Sequence, residues 1–321
     1  MANRAPDFPS PIDIPRAGCH GRPLSSVLLS NMPMNIRAAS SPADMPQATP
    51  LRVPQARASV WVLLRGLSRE SGHWGAFPNF LLRELRQLQP ASQLLMLDLP
   101  GTGTLRGQAS PMQVSAIVDA CRRELQARGV AGPVSLVGMS LGAAVLADWA
   151  NRYPDEVEAG VLINPSLRPF NELFRKTRPL NYLGLLLLSL SRFSARMREE
   201  RVLSLTTRLT PAQAVIDRWL ELQRLHPLGV RNTARQLIAS MRYRASRTRP
   251  AAPMLLLCSK ADDLVDWRCS QAISRAWGAP LRLHTKAGHD LPLDDPQWVA
   301  RAVAEWLRDR SIQGVEPGEW H

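Results

Sequence analysis

The chain has 321 residues, and 45% of them are hydrophobic, which is enough for one large core with an insertion, or at most two domains. Its 40 basic and 27 acidic residues give a net charge of +13, but the excess is local, because residues 166–250 hold 17 Lys and Arg against 5 Asp and Glu. This distribution argues against a nucleic-acid-binding surface over the whole molecule, so we expect no nucleic-acid partner.

No apolar run reaches the roughly 20 residues that a transmembrane helix needs. The longest run, residues 183–190, is far shorter. The amino terminus lacks the pattern of a secretory signal peptide, which favours a cytoplasmic location. The cysteines show none of the close spacings of metal or redox motifs, and we expect reduced thiols at Cys19, Cys121, Cys258 and Cys269.

Residues 1–57 are rich in Pro, Ala, Ser and Arg and show no sustained helical or strand period. Such a segment has too little apolar surface to offset the entropy lost on ordering, so we expect a disordered extension. Met32 and Met34 are alternative start sites within it.

The first core elements follow this extension. An apolar run at residues 59–64 predicts a buried strand, and Arg65, Gly66 and Leu67 come directly after it. Apolar residues at helical spacing predict a helix over residues 77–88.

A second strand is predicted at residues 93–97, and a turn with one proline and two glycines then reverses the chain at the sheet edge. Asp98 begins this turn, and turn formation explains it without a catalytic role. Residues 114–128 place their apolar side chains on one face and predict an amphipathic helix.

The most informative stretch is residues 133–152, where an apolar strand runs into the sequence GMSLG, centred on Ser140, and an Ala-rich helical pattern follows. This is the strand, corner and helix that a G-x-S-x-G nucleophile motif requires. A serine on so sharp a corner has a strained backbone, and the flanking glycines let strand and helix approach closely. Ser140 would present its hydroxyl above the amino end of a helix, where developing negative charge is favoured.

Beyond the corner, strand and helix patterns continue to alternate. Residues 166–250 differ, because they show Leu, Arg and Ser in helical periods and no clear strand. The alternation predicts an α/β fold with a mostly parallel central sheet and helices on both faces. The remaining predicted elements are strands at 160–163, 252–258 and 281–284 and a closing helix at 298–307.

With this corner the chain resembles the α/β-hydrolase superfamily, whose serine members carry the same nucleophile elbow. The resemblance covers residues 59–310 and implies a serine esterase-like or lipase-like protein with a helical cap inserted between two core strands. We therefore expect a hydrolase core at residues 58–165 and 251–321, and a helical, Arg-rich cap at 166–250 that roofs the active site.

In this fold the catalytic residues follow the chain order serine, acid, histidine, with the acid just after the strand that follows the cap. Asp262, Asp263 and Asp266 compete for that place. Similar hydrolases read G-x-x-D-x-x-V-P here, which puts Ser259 at the glycine and Asp262 at the acid. Asp263 is the next alternative, because only one of two neighbouring side chains faces inward.

The base comes last in that order, on a loop after the final strand. His289 fits this place, because Gly288 precedes it and it lies 27 residues beyond Asp262. His73 is a reserve participant, since the loop before it borders the pocket. The other histidines suit the role less: His20 and His321 in the termini, His226 in the cap and His284 within a predicted strand.

The implied chemistry is acyl transfer through a covalent intermediate on Ser140, with His289 as the base and Asp262 orienting its imidazole. By the same resemblance, the backbone N–H groups of Leu67 and Leu141 form the oxyanion hole. Arg65 stands where similar hydrolases have a histidine. No metal or organic cofactor is required.

The favoured function is therefore hydrolysis of a carboxylic ester in a small-molecule acyl substrate. The same three residues also support acyl transfer to an alcohol or amine, peptide release or carbon–carbon bond hydrolysis, and a non-catalytic docking protein is a further alternative. The basic segment at 166–250 either forms a solvated face or attracts an anionic substrate, an acidic carrier protein or a membrane surface.

Overall fold

The structure is a computed structural model that describes residues 59–171, 194–208, 213–227 and 229–313. Several predictions lie outside these residues: the disordered extension at 1–57 with its two start sites, the apolar run at 183–190, and the terminal histidines His20 and His321.

One parallel sheet forms the centre of the described residues. Its strands are β1 (Val60–Leu64), β2 (Gln93–Leu97), β3 (Val134–Met139), β4 (Val157–Ile163), β5 (Met254–Ser259) and β6 (Leu281–His284). They lie in the order β2-β1-β3-β4-β5-β6, and each neighbouring pair is parallel. The strand order reverses between β1 and β3, and the crevice at the carboxyl ends of such strands is where α/β proteins bind ligands.

Helices cover both faces of the sheet, so the predicted fold class is confirmed. In chain order they are α1 (Phe77–Leu88), α2 (Val114–Ala127), α3 (Leu141–Arg152), α4 (Ala195–Thr206), α5 (Gln213–Leu225), α6 (Val230–Arg242), α7 (Trp267–Trp277), α8 (Leu291–Asp294) and α9 (Pro296–Gln313). Buried side chains of α2, α3 and α7 pack on one face, and those of α1 and α9 pack on the other.

The strand β1 shows why the sheet has two cores. Trp61 and Leu63 join the cluster with α1 and α9, whereas Val62 and Leu64 join the cluster with α2 and α3. Successive side chains of a strand point to opposite faces, and helices cover both of them. A continuous apolar run is therefore buried on both sides.

Two predicted elements are three or more residues longer in the structure. The strand predicted at 160–163 begins at Val157, because its parallel pairing with β3 continues to Val134 although Glu158 is exposed. The closing helix predicted at 298–307 begins at Pro296, whose missing N–H costs nothing in a first turn, and continues to Gln313.

The helices α4, α5 and α6, here named the inserted helices, lie between β4 and β5, where the sequence predicted a helical segment without strands. Leu203 of α4 packs on Ile216, Trp219 and Leu222 of α5 in a small apolar cluster of their own. Over the described ranges of the chain, no helix combines the length and the apolar content of a membrane span.

Candidate active site

Ser140 lies in the corner between β3 and α3, beside the reversal in strand order. Its φ of 54° is a left-handed conformation that residues other than glycine rarely adopt. Its N–H donates to the carbonyl of Ile163 at 3.0 Å, which ties the corner to β4. A side chain at Gly138 would overlap the carbonyl of Gly142, and one at Gly142 would overlap that of Leu64, so both positions need glycine.

His289 and Asp262 form a buried pair. The Nδ1 atom of His289 lies 2.7 Å from Oδ2 of Asp262, and their side chains are 6% and 1% exposed. The second oxygen, Oδ1, accepts the backbone N–H groups of Leu264 and Val265 at 2.7 and 3.0 Å. The carboxylate is therefore fixed by its own loop while it orients the imidazole.

The charge of this pair alters the titration of His289. Burial is the largest single effect on the pKa of His289 and lowers it, but the charge and the hydrogen bond of Asp262, together with the charge of Asp290, raise the pKa above its usual value of 6.5. The neighbouring Asp290 acts in the same direction and Arg65 opposes it. A histidine with this pKa can accept a proton near neutral pH.

The two competing carboxylates take part in other contacts. Asp263 pairs with Arg208, with Oδ2 and Nη2 2.5 Å apart, and its side chain is 40% exposed. Asp266 caps the first turn of α7 by accepting the N–H of Arg268 at 2.9 Å. Of the three candidates, Asp262 is the one that contacts His289.

His73, the reserve candidate, is buried in the loop after β1. Its Nδ1 accepts the N–H of Glu70 at 3.2 Å, and its Nε2 lies 3.0 Å from Nη1 of Arg69. Burial and the positive charges of Arg69 and Arg65 hold the pKa of His73 well below its usual value, so the imidazole is neutral.

The remaining described histidines also have local partners. Nδ1 of His226 lies 3.0 Å from both carboxylate oxygens of Glu70. Nδ1 of His284 accepts the N–H of Ala287 at 2.8 Å. The imidazole of His226 therefore contacts the loop after β1, and that of His284 contacts the turn after β6.

Both predicted oxyanion-hole residues lie near Ser140. Leu141 is the first residue of α3, so its N–H has no acceptor within that helix. Leu67 follows Gly66, where an added Cβ would come within 3.3 Å of the Cβ of Ser140. The loop after β1 therefore passes close to the serine.

One cavity of about 190 Å³ brings most of the predicted residues together. Ser140, His289, Leu67 and Leu141 line it, and Asp262 lies behind His289. Within the described residues, the Ser140 hydroxyl makes no hydrogen bond to His289. Such contacts often tighten only when a substrate is bound.

A second buried ion pair borders the site. Arg65, the departure from the family pattern, donates from Nη1 and Nη2 to Oδ1 and Oδ2 of Asp290 at 3.0 and 2.6 Å. Sequence reasoning noticed Arg65 but did not find its partner, although Asp290 directly follows His289 and is an unusual charge for a buried loop.

Asn164 is another residue that sequence reasoning missed. Its Nδ2 donates to the carbonyl of His289 at 2.8 Å, and its Oδ1 accepts the N–H of Ser259 at 2.9 Å. It therefore joins the histidine loop to the end of β5. The sequence signal was a polar residue directly after a buried strand.

Metal ligands were not expected from the sequence. Over the part of the chain that the structure describes, no group of three or more His, Cys, Asp or Glu side chains is arranged to hold a metal ion.

Comparisons with known proteins find similarity to hydrolases in sequence and in fold. A model of the alpha/beta hydrolase family matches residues 61–302. The Cronobacter turicensis protein named "Putative carbamate hydrolase RutD" is 29% identical over 255 residues, which cover 75% of this chain and 87% of that protein. Among solved structures, an esterase from Exiguobacterium antarcticum has a TM-score of 0.64 at 14% identity, with 78% of this chain and 92% of that chain covered. A thermophilic esterase from Thermogutta terrifontis has a TM-score of 0.58 at 18% identity, with 78% and 90% covered.

Proposed function

This chain belongs to the alpha/beta hydrolase family, and on that basis we propose that it is a serine hydrolase that cleaves a carboxylic ester, or a related acyl bond, through an acyl-enzyme on Ser140. The observation that carries the proposal is the buried pair of His289 and Asp262, 2.7 Å apart, whose histidine lines the same cavity as Ser140. A serine hydroxyl is too weak an acid to attack a carbonyl unaided, and it needs such an oriented base.

In the proposed reaction, Nε2 of His289 takes the hydroxyl proton as Oγ of Ser140 attacks the carbonyl carbon. Asp262 accepts the Nδ1–H of His289, fixes its tautomer and stabilises the imidazolium that forms. The N–H groups of Leu67 and Leu141 hold the tetrahedral oxyanion at the amino end of α3. His289 then donates its proton to the leaving group, and a water molecule activated by the same histidine hydrolyses the acyl-enzyme.

We further propose that the inserted helices form the cap of this site. The cavity wall includes Val202 and Thr206 from α4 and Val230 and Leu237 from α6. A mostly apolar wall suits an acyl chain. The end of α4 also contacts the histidine loop, because the N–H of Asp290 donates to the carbonyl of Thr206 at 2.6 Å.

The arginines of the cap do not by themselves favour an anionic substrate, because several of them are neutralised in ion pairs. Described pairs on the inserted helices or at their ends are Arg196 with Glu200, Arg208 with Asp263 and Arg218 with Glu221. We therefore propose a neutral small-molecule acyl substrate. If this pairing removes long-range steering, the ratio of the hydrolysis rates of neutral and anionic esters should not change with salt concentration.

A second candidate is carbamate hydrolysis, which the name of the Cronobacter relative favours. A carbamate carbonyl can be attacked by the same serine and stabilised by the same donors, because fold and catalytic residues do not fix the bond that is cleaved. A p-nitrophenyl ester and a p-nitrophenyl carbamate of equal size would rank the two reactions by their kcat/KM values.

The test of the proposed function combines turnover with labelling. We expect hydrolysis of a series of p-nitrophenyl esters and covalent labelling by a fluorophosphonate at Ser140, located by mass spectrometry. Ser140→Ala should lower kcat/KM by about 10⁴ to 10⁶ and abolish labelling. Ser240→Ala, which removes another hydroxyl from the same cavity, is the matched control and should keep both. A near-normal rate in Ser140→Ala would show that Ser140 is not the nucleophile.

A further inference from the structure

Asn164 directly follows β4, next to the corner that carries the proposed nucleophile. The residue before it, Ile163, accepts the N–H of Ser140 at 3.0 Å, and the N–H of Asn164 itself donates to the carbonyl of Leu257 in β5 at 2.9 Å. Asn164 is only 2% exposed. A polar side chain that is buried at the end of a sheet needs hydrogen-bond partners in the adjacent loops.

The amide of Asn164 contacts the loops of both other proposed catalytic residues. Its Nδ2 donates to the carbonyl of His289 at 2.8 Å, and its Oδ1 accepts the N–H of Ser259 at 2.9 Å. Ser259 is the last residue of β5, and its carbonyl accepts the N–H of Asp262 at 3.4 Å. One side chain therefore joins the backbone of the proposed base to the start of the loop that carries the proposed acid.

Two properties of this position explain why an asparagine suits it. Its φ is 44°, a left-handed conformation that asparagine adopts more readily than most other residues with a side chain. Its short side chain also presents both a donor and an acceptor. Aspartate lacks the donor, and glycine, which tolerates the same backbone conformation, lacks both groups.

The contact to Asn164 acts on the base itself, because the residues on either side of His289 are bonded elsewhere. The N–H of Gly288 donates to the last residue of α8 at 2.6 Å, and the N–H of Asp290 donates to the last residue of α4 at 2.6 Å. The carbonyl of His289 instead accepts the amide of Asn164. Loss of this amide would let the base shift even where its neighbours stay bonded, and a misplacement of about 1 Å can lower a rate about 100-fold.

We propose that Asn164 is a positioning residue for the proposed reaction, and that its amide holds the backbone of His289 where the imidazole can contact both Asp262 and the hydroxyl of Ser140. Asn164 lies outside the described lining of the catalytic cavity, so its loss should slow the chemistry without weakening substrate binding. This inference rests on the proposed serine hydrolase activity and adds a residue to its machinery.

The first test is Asn164→Gly, which removes the amide and keeps the left-handed backbone accessible. On a p-nitrophenyl ester it should lower kcat about 100-fold and leave KM within about threefold of wild type. The rate of covalent labelling by a fluorophosphonate should fall in parallel.

The pH profile separates positioning from a loss of stability. In Asn164→Gly the contact between His289 and Asp262 is weakened, and Asp262 contributes to the raised pKa of His289. The midpoint of the rise of kcat/KM with pH should therefore be lower than in wild type. A change in stability alone would not move this midpoint.

A second variant, Asn164→Asp, keeps the size of the side chain and the acceptor for Ser259 but loses the donor to His289. It should lower kcat at least about tenfold, and it provides the test if the glycine variant does not fold. The matched control is Asn232→Asp on α6, where Oδ1 of the asparagine accepts the N–H of Ser110 at 3.0 Å and Nδ2 donates to the carbonyl of Gln108 at 3.1 Å. This amide holds the loop after β2, so its exchange should keep kcat within about threefold of wild type.

A folded Asn164→Gly protein with a near-normal kcat, or one with a lower melting temperature but an unchanged pH midpoint and labelling rate, would overturn the positioning role. Equal losses of kcat in Asn164→Asp and Asn232→Asp would also overturn it. Each of these results would leave the hydrolase proposal standing. Failure of the wild-type protein to hydrolyse any ester or to label at Ser140 would overturn both.

Discussion

Arg65 and Asp290 form a bidentate ion pair whose side chains are 2% and 4% exposed, and which joins the end of β1 to the residue after His289. Nη1 of Arg65 also lies 3.1 Å from Sδ of Met139, the residue before Ser140. One guanidinium thus contacts the ends of the loops that carry the proposed nucleophile and base. The guanidinium of Arg65 also lies 4.8 Å from the ring centroid of Trp74.

We expect the loss of one partner of this pair to be far more harmful than the loss of both. Asp290→Ala leaves the Arg65 charge buried and uncompensated, which should lower the free energy of unfolding by about 3–5 kcal/mol. The double variant Arg65→Met, Asp290→Leu should recover much of that loss. Denaturant unfolding measures both effects.

The matched control for the buried pair is an exposed one. Arg218 and Glu221 pair on α5 with side chains that are both 56% exposed. Glu221→Ala should cost less than about 1 kcal/mol, because surface pairs are screened by water. Equal losses in Asp290→Ala and Glu221→Ala would contradict the stabilising role of the buried pair.

The adjacent carboxylates Asp262 and Asp263 should differ sharply in function. Asp262→Asn removes the acceptor that fixes the His289 tautomer and should lower kcat by about 10⁴. Asp263 instead contacts Arg208 at the surface, so Asp263→Asn should change kcat by less than about threefold. Steady-state kinetics on one activated ester compares the two variants. A larger loss of kcat in Asp263→Asn would show that Asp263, and not Asp262, is the catalytic acid.

The raised pKa of His289 predicts the pH dependence of activity. Only the neutral imidazole can accept the serine proton, so kcat/KM should rise with pH through a midpoint above 6.5. Burial alone would lower that pKa, and the Asp262 charge opposes it. The residual kcat/KM of Asp262→Asn should therefore rise with pH through a lower midpoint. An unchanged midpoint would show that the pH dependence does not report the titration of His289.

His289 should also make the free energy of unfolding depend on pH, in the direction opposite to that of the activity. The pKa of His289 is higher in the folded than in the unfolded chain, so the folded state binds its proton more tightly. This contribution to the free energy of unfolding is complete below about pH 6.5 and is lost as the pH rises through the folded-state pKa. Denaturant unfolding at several pH values should show the decrease in wild type and not in His289→Gln.

Local sequence patterns predict most elements of the fold. The contacts that they do not predict join residues far apart in the chain. The corner around Ser140 could be predicted because a buried strand, two glycines and a helix lie within residues 133–152. The strands that are buried on both faces could be predicted for the same reason. The pairing of His289 with Asp262 came from the family order of residues and not from any local pattern.

The contacts that sequence reasoning missed join residues far apart in the chain. Arg65 and Asp290 are separated by 225 positions, and Ser68 and Gln236 by 168. Each side chain taken alone is an ordinary polar residue, and only tertiary packing shows that it is buried and what it contacts.

The glycine at the start of α3 provides a test of the corner geometry. A Cβ on Gly142 would overlap the carbonyl oxygen of Leu64, which is part of the sheet and cannot move aside. Gly142→Ala should therefore lower the free energy of unfolding by about 2 kcal/mol or more. Gly107→Ala is the matched control, because nothing lies within 4 Å of its added Cβ, and it should stay within about 0.5 kcal/mol of wild type.

Gln236 of α6 should position the loop that carries Leu67. Its Oε1 accepts the N–H of Ser68 at 2.9 Å, its Nε2 donates to the carbonyl of Pro100 at 3.2 Å, and it is fully buried. Ser68 has a φ of 58°, so its backbone needs this support.

Gln236→Met keeps the size of the side chain but removes both hydrogen bonds, and a displaced oxyanion donor should lower kcat about 10–100-fold with little change in KM. Affinity for a trifluoromethyl ketone, which forms an oxyanion adduct on the serine, should fall in parallel. Gln213→Met, the same change on the exposed start of α5, should leave both unchanged. A Gln236→Met protein with normal kcat and a lower melting temperature would show that this glutamine stabilises the fold without positioning the donor, because chemistry that depends on the loop would then have survived its loss.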